Sequence, residues 1–126
     1  MYKKVMYICL MYSKELLKGT LKTIILKMLS ERDSMYGYQI TQKVKEITKG
    51  KINLTEGALC PALHKLEADG FLTTEKKTVG NRVRKYYSLT QTGNSKAKEK
   101  VEELKEFMET LKTIINLTPQ NLAWQI

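Results

Sequence analysis

Leu17, Leu21, Ile24, Ile25 and Met28 stand at i, i+4, i+7, i+8 and i+11, which makes one apolar stripe on a helix over residues 13–30. Ser13 is suited to cap its start, and "SERDS" (30–34) ends the pattern. The same period resumes in "MYGYQITQKVKEITKG" (35–50), with Ile40, Val44 and Ile47 on one face and Gly50 as the stop. A short link, "KIN", leads to "LTEGALCPALHKLEADGFL" (54–72). At 100° per residue its Leu59, Ala62, Leu63 and Leu66 gather on one side of a third helix. After Gly70 the period changes. "FLTTEKKT" and "RVRKYYSL" are rich in Thr, Val and Tyr and flank "VGN", which predicts a β-hairpin. "TQTGN" then opens a last helix, expected over about residues 95–117, and Pro119 bars it from continuing unperturbed.

Three helices, a hairpin and a long helix make a mainly α chain with a small β-hairpin. That is the layout of a winged helix-turn-helix with a long C-terminal helix appended. The expected division is 1–12 as an N-terminal extension of unassigned role, 13–92 as the winged-helix domain, 93–118 as a dimerisation helix and 119–126 as a tail. In the last helix Ala97, Val101, Leu104, Met108, Leu111 and Ile115 follow a 4-3-4-3-4 spacing, a heptad seam that Phe107 and Ile114 widen. A helix of that length runs roughly 35 Å, more than a domain of this size covers by itself. Either the stripe folds back on its own domain, or the same helix of a second copy covers it with help from Leu17 and Leu21. The second arrangement is the one expected here.

Composition narrows the chemistry. The chain has 126 residues, enough for one compact domain, and 42% of them are apolar, too many for a disordered chain. Twenty-two Lys and Arg against 13 Asp and Glu leave a net charge of +9, which attracts polyanions: nucleic acid, acidic membrane surfaces or acidic proteins. The apolar run Val5–Tyr12 is too short to span a bilayer, so no membrane partner is expected. Lys3 and Lys4 before it hint at a signal peptide, but no small-residue cleavage site follows, and Met11 is an alternative start. Cys9 and Cys60 make neither a disulfide framework nor a zinc site, and as free thiols they suit a reducing cytoplasm. His64 is the single histidine, and no phosphate loop or nucleophile motif accompanies it. No enzyme activity, metal or cofactor is expected. Trp124 receives no role.

Gly57 and Pro61 pose a question. In a helix interior Gly costs about 1 kcal/mol and Pro about 3 kcal/mol relative to Ala, yet both stand in the first turns of the third helix. Opposite its leucines lie Gly57, Pro61, His64 and Ala68, with Cys60 and Lys65 at the margins. Small residues there allow close approach of another surface, and a helix N-terminus offers N–H groups to phosphate. Gly57 and Ala58 would equally serve packing against a neighbouring helix, and His64 would equally serve as a buried structural residue. The hairpin carries Lys76, Lys77, Arg82, Arg84 and Lys85 around one turn. Alternation puts Arg82 and Arg84 on one face, Val83 and Lys85 on the other. A wing straddling a phosphate backbone shows this pattern; so does an edge hairpin guarded from aggregation by its charges.

"LLKGTLKTIILKMLSERDSMYGYQI", "LTEGALCPALHKLEADGFL" and "GNRVRKYYSLTQTG" resemble the PadR family of bacterial transcriptional regulators. Together they cover about residues 16–93 in the right order and spacing. The resemblance implies a winged-helix repressor that binds palindromic operator DNA as a homodimer, in the small subfamily with one dimerisation helix. It leaves a small aromatic effector open as a further partner, since a phenolic acid or planar drug releases DNA in some relatives. Tyr38 matches the second helix's Gly-Tyr pair, and His64 and Lys65 match the recognition-helix pattern. The family commonly has a DNA-touching Tyr where this chain has Cys60. The expected DNA-facing set is therefore Tyr38, Thr55, Glu56, Gly57, Ala58, Cys60, Pro61, His64 and Lys65, with Lys76, Lys77, Arg82, Arg84 and Lys85 of the wing. The competing expectation is a winged-helix module for protein–protein contact, without specific DNA binding.

Overall fold

In the computed structural model, residues 12–121 are described; Cys9, Trp124 and the run from Val5 to Met11 lie outside them. The single helix expected over 13–30 is two. Helix α1 spans Lys14–Lys18, with the Ser13 hydroxyl accepting the Leu16 N–H at 3.3 Å, and α2 spans Leu21–Ser30. Gly19 and Thr20 divide them. Gly weakens a helix, and the Thr20 hydroxyl donates to the Leu17 carbonyl at 3.2 Å, so the side chain competes with the helical ladder at the break.

The second helix also begins later than its pattern. Met35–Tyr36 forms a short strand, β1, and α3 follows over Gly37–Ile47. The chain leaves α3 through Lys49 (φ 54) and Gly50 (φ 81), both left-handed. Ile47 was expected on the apolar face, but it is 61% exposed at the end of α3. Helix α4 spans Glu56–Ala68 and is capped by Thr55, whose hydroxyl accepts the Ala58 N–H at 3.2 Å. Leu59, Leu63 and Leu66 are buried and Ala62 is half-buried, as the 3.6-residue period requires. Gly70 turns the chain out of α4 with φ 85.

Strands β2 (Leu72–Val79) and β3 (Arg82–Leu89) are antiparallel and joined by the two residues Gly80 and Asn81. The φ of 63 at Gly80 is the left-handed geometry that such tight hairpin turns use. Met35 pairs with Tyr87 and Tyr36 with Tyr86, so the sheet order is β1-β3-β2. Helix α5 spans Gln91–Ile115 and starts four residues before the expected Ser95, because Thr90 is its cap and accepts the Gly93 N–H at 3.0 Å. A short 3-10 turn follows at Pro119–Asn121.

The core joins α2 (Ile25, Leu26, Leu29), β1 (Met35), α3 (Ile40, Val44), α4 (Leu59, Leu63, Leu66) and the sheet (Leu72, Tyr87). Ala97 of α5 belongs to it as well, at 2% exposure. That corrects the seam. Ala97 was expected at an interface with a second copy, but it packs inside its own chain, because the first turns of α5 lie against α2.

Candidate nucleic-acid interface

Helix α4 presents two opposite faces. Its leucines hold it on α2 and α3, and this fixes what the other face shows. Gly57, Ala58, Cys60, Pro61, His64, Lys65 and Ala68 are all exposed, as are Thr55 and Glu56 at the helix start. His64 is therefore no buried structural residue. Gly57 decides a second alternative: a Cβ built there meets no atom within 4 Å among the described residues, so the glycine does not serve packing against any of the described helices. Pro61 lies inside α4 and removes the N–H that would otherwise bond the carbonyl of Gly57. Small side chains leave the N-terminal half of this face bare and its backbone accessible.

The wing stands beside this face. The register places Arg82 opposite Val79, Arg84 opposite Lys77 and Tyr86 opposite Glu75, all on one side of the sheet. The other side carries Lys76 opposite Lys85 and Thr74 opposite Tyr87, and it faces α4. Like charges directly across a ladder are destabilising. Glu67 of α4 offsets this at Lys85: its carboxylate accepts from Lys85 Nζ at 3.4 Å and from the Thr74 hydroxyl at 3.1 Å. Burial pulls the Lys85 pKa down, but the Tyr87 oxygen and Glu67 outweigh it, and the net shift is upward. Burial raises the Tyr87 pKa, with Lys85 opposing. Lys76 and Arg82 have no ion pair among the described residues.

The far side of the wing is ordered by aromatic rings. The Arg84 guanidinium lies 4.5 Å from the Tyr36 ring centre, Lys77 Nζ lies 4.9 Å from that of Tyr86, and the two rings meet edge to face at 5.3 Å. Such contacts hold a cation in place; Lys77 also pairs with Glu75 at 3.5 Å, whereas Arg84 has no ion pair among the described residues. A cleft of about 270 Å³ between β1, α3, α4 and β3 brings Tyr38, Glu56, Cys60, Arg84 and Lys85 together, with Tyr36, Leu63 and Tyr87 in its walls. Tyr36 and Tyr87 stand outside the expected DNA-facing set. Their signals were the residue before the Gly-Tyr pair and the second Tyr of "KYY".

The charge is unevenly placed. Helix α5 carries five lysines and five glutamates, so the whole excess of +9 lies ahead of it. Its charges pair along the helix, as in Lys96–Glu99 at 3.0 Å and Lys100–Glu103 at 2.9 Å. Along the seam Val101 and Leu104 are half-buried, whereas Phe107, Met108, Leu111, Ile114 and Ile115 are exposed, Phe107 at 58% and Ile115 at 71%. Leu17 and Leu21 are half-buried.

Three core helices, a three-stranded sheet ending in a cationic hairpin, and a bare-faced α4 define a winged helix-turn-helix protein, a fold built to carry one helix into DNA. Residues 25–99 match the family described as "Transcriptional regulator PadR-like family", and the chain belongs to that family of DNA-binding transcription regulators. It is 34% identical to the transcriptional regulator Rv3488 of Mycobacterium tuberculosis over 74 residues, 59% of this chain and 66% of that protein. It superposes on a transcriptional regulator from Clostridium thermocellum with a TM-score of 0.75 at 26% identity, covering 82% of this chain and 100% of that one. A PadR family transcriptional regulator from Eggerthella lenta gives a TM-score of 0.72 at 26% identity over 82% of this chain and 88% of its own.

Proposed function

We propose that this chain is a sequence-specific DNA-binding repressor that acts as a homodimer on a palindromic operator and is released by a small aromatic effector. Helix α4 enters the major groove with Thr55, Glu56, Gly57, Ala58, Cys60, Pro61, His64 and Lys65 toward the bases and their phosphates. Tyr38 approaches the backbone from the start of α3. Lys76, Lys77, Arg82, Arg84 and Lys85 lie along the phosphates beside it, and wing contacts of this kind position a protein without reading sequence. One observation carries the assignment: Gly57 and Pro61 cost helix stability, and no neighbour among the described residues accounts for the bare face at Gly57. The exposed apolar residues from Phe107 to Ile115 support a two-fold partner, which sets two copies of α4 on two half-sites.

Ala58→Glu tests this reading. The exposed Ala58 stands in the first turn of α4, where a carboxylate would face phosphate. The variant should lose operator binding while its circular dichroism stays that of the wild type. Undiminished DNA affinity in a folded variant would exclude α4 as the recognition helix. The Arg82→Ala/Arg84→Ala double variant should weaken binding to all sequences alike and flatten the salt dependence by about one unit per lost phosphate contact. A protein–protein module would show no steep salt dependence toward DNA at all.

A further inference from the structure

We propose that Glu56 is a specificity-determining residue, whose carboxylate accepts a hydrogen bond from the exocyclic amino group of one cytosine in each half-site. This rests on the DNA-facing role of α4 proposed above. In helix-turn-helix proteins the N-terminal residues of the recognition helix contact base edges. In α4 the exposed ones are Glu56, Gly57 and Ala58, while Leu59 is buried. Gly57 and Ala58 carry no polar side-chain atom. The hydroxyl of the cap, Thr55, already accepts the Ala58 N–H at 3.2 Å. The Glu56 carboxylate has neither an ion pair nor a side-chain hydrogen bond among the described residues. It is the free hydrogen-bonding group of the first turn.

The cations that share its cleft are held by other partners. Arg84 and Lys85 line that cleft with Glu56, but the Arg84 guanidinium lies over the Tyr36 ring and Lys85 Nζ donates to Glu67. Their charge lowers the cost of bringing a carboxylate up to DNA without tying it down. Glu56 is also the one acid in the proposed DNA-facing set. A carboxylate there repels phosphate whatever the sequence, so it suits this surface only where a donor on the DNA offsets the repulsion.

The chemistry of the groove names that donor. A carboxylate only accepts, and phosphate and deoxyribose within a duplex offer it nothing. In the major groove guanine presents N7 and O6 and thymine presents O4, all acceptors. Adenine sets its N7 acceptor beside the N6 amino group, whereas cytosine presents its N4 amino group alone. Cytosine is the base that fits. An acid in the first turn also suits the helix dipole. That role changes stability and leaves base preference untouched, so base preference is the quantity to read.

Selection from random duplex DNA with the full chain, Glu56→Ala and Glu56→Gln, followed by titrations on the selected site, tests the assignment. The wild type should enrich cytosine at one position of each half-site, and thymine there should weaken its binding at least about tenfold. Glu56→Ala should bind the cytosine and thymine sites equally, keep its preferences at the other positions and bind random duplex more tightly than the wild type. Glu56→Gln keeps the shape of the side chain and should move the preference to adenine, whose N6 and N7 a glutamine amide matches. Either variant keeping the cytosine preference overturns the assignment. So does either variant, folded by circular dichroism, losing preference at every position, because Glu56 would then serve α4 as a whole. A wild type that selects a site whose profile both variants reproduce removes this assignment alone. A wild type that binds no DNA removes the proposed function and the assignment with it.

Discussion

Gly57→Ala separates the needs of the fold from the needs of the DNA. The new methyl sits on the exposed face of α4 and meets nothing within 4 Å among the described residues, so none of them opposes it sterically in the free protein. Gly in a helix costs up to about 1 kcal/mol relative to Ala, mostly through the entropy of the unfolded chain. Position 57 lies in the first turn, so a gain of about 0.5–1 kcal/mol is expected, which raises the melting temperature by about 2–5 °C. On DNA the same methyl intrudes where the helix backbone approaches the groove. Overfilling a closely packed contact costs about 1–3 kcal/mol, which weakens binding by about 5- to 150-fold. Thermal unfolding gives the first quantity and fluorescence anisotropy on a labelled operator the second. The two changes should have opposite signs. A variant that is stabilised and binds operator as tightly as the wild type would refute the claim that Gly57 marks a point of close approach. A destabilised variant would refute the packing argument beneath it.

Gly93→Ala should behave in the opposite way. Its Cβ would fall onto the carbonyl oxygen of Phe71 and lie 3.2 Å from Leu89 Cδ2, so despite the gain in helix propensity a net loss of about 1–2 kcal/mol is expected in urea unfolding; a stabilised variant would show that α5 does not start where it is placed. Leu111→Lys puts a charge into the exposed stripe of α5 and should shift the proposed dimer to monomer in sedimentation velocity, with operator affinity falling as the second half-site loses its tethered partner; an unchanged sedimentation coefficient would place the interface elsewhere. Burial holds the Tyr87 phenol above its ordinary pKa, so as the pH rises the unfolded chain gives up that proton first. Its stabilisation is whole below about pH 10 and is lost as the pH climbs through the folded-state value. Tyr87→Phe should flatten the alkaline decline, and equally steep declines in both proteins would rule out Tyr87 as its source.

Patterns set by neighbours in sequence were legible from residue identities, and those set by distant neighbours were not. The core face of α4 follows from Leu59, Leu63 and Leu66 on a 3.6-residue period, and the hairpin from "VGN" between two Thr- and Tyr-rich runs. Both are local, and both appear in the fold. Met35–Tyr36 is a strand only because Tyr86 and Tyr87 of β3 pair with it from fifty residues away, and nothing in its own neighbourhood announces that. The start of α5 depends on Thr90, which caps it and is held by the distant turn after α4, its N–H donating to the Phe71 carbonyl at 3.0 Å and its hydroxyl to the Gly70 carbonyl at 2.7 Å. The heptad from Ala97 to Ile115 is regular in sequence, yet its first residue serves the chain's own core and its last ones are exposed. Periodicity identifies an apolar stripe but does not say which molecule covers each part. In the wing the cations were legible, but the rings that hold Arg84 and Lys77 were not, since cross-strand register brings them together.

Selection of bound sequences from random duplex DNA tests the central claim most directly. Two copies of α4 related by a two-fold axis should enrich an inverted repeat whose half-sites lie about one helical turn apart, roughly 34–36 Å along the duplex. The enriched site should bind with a steep salt dependence, and Ala58→Glu should abolish the enrichment. A pool that stays random after repeated rounds, or that enriches single sites without two-fold symmetry, would contradict the account.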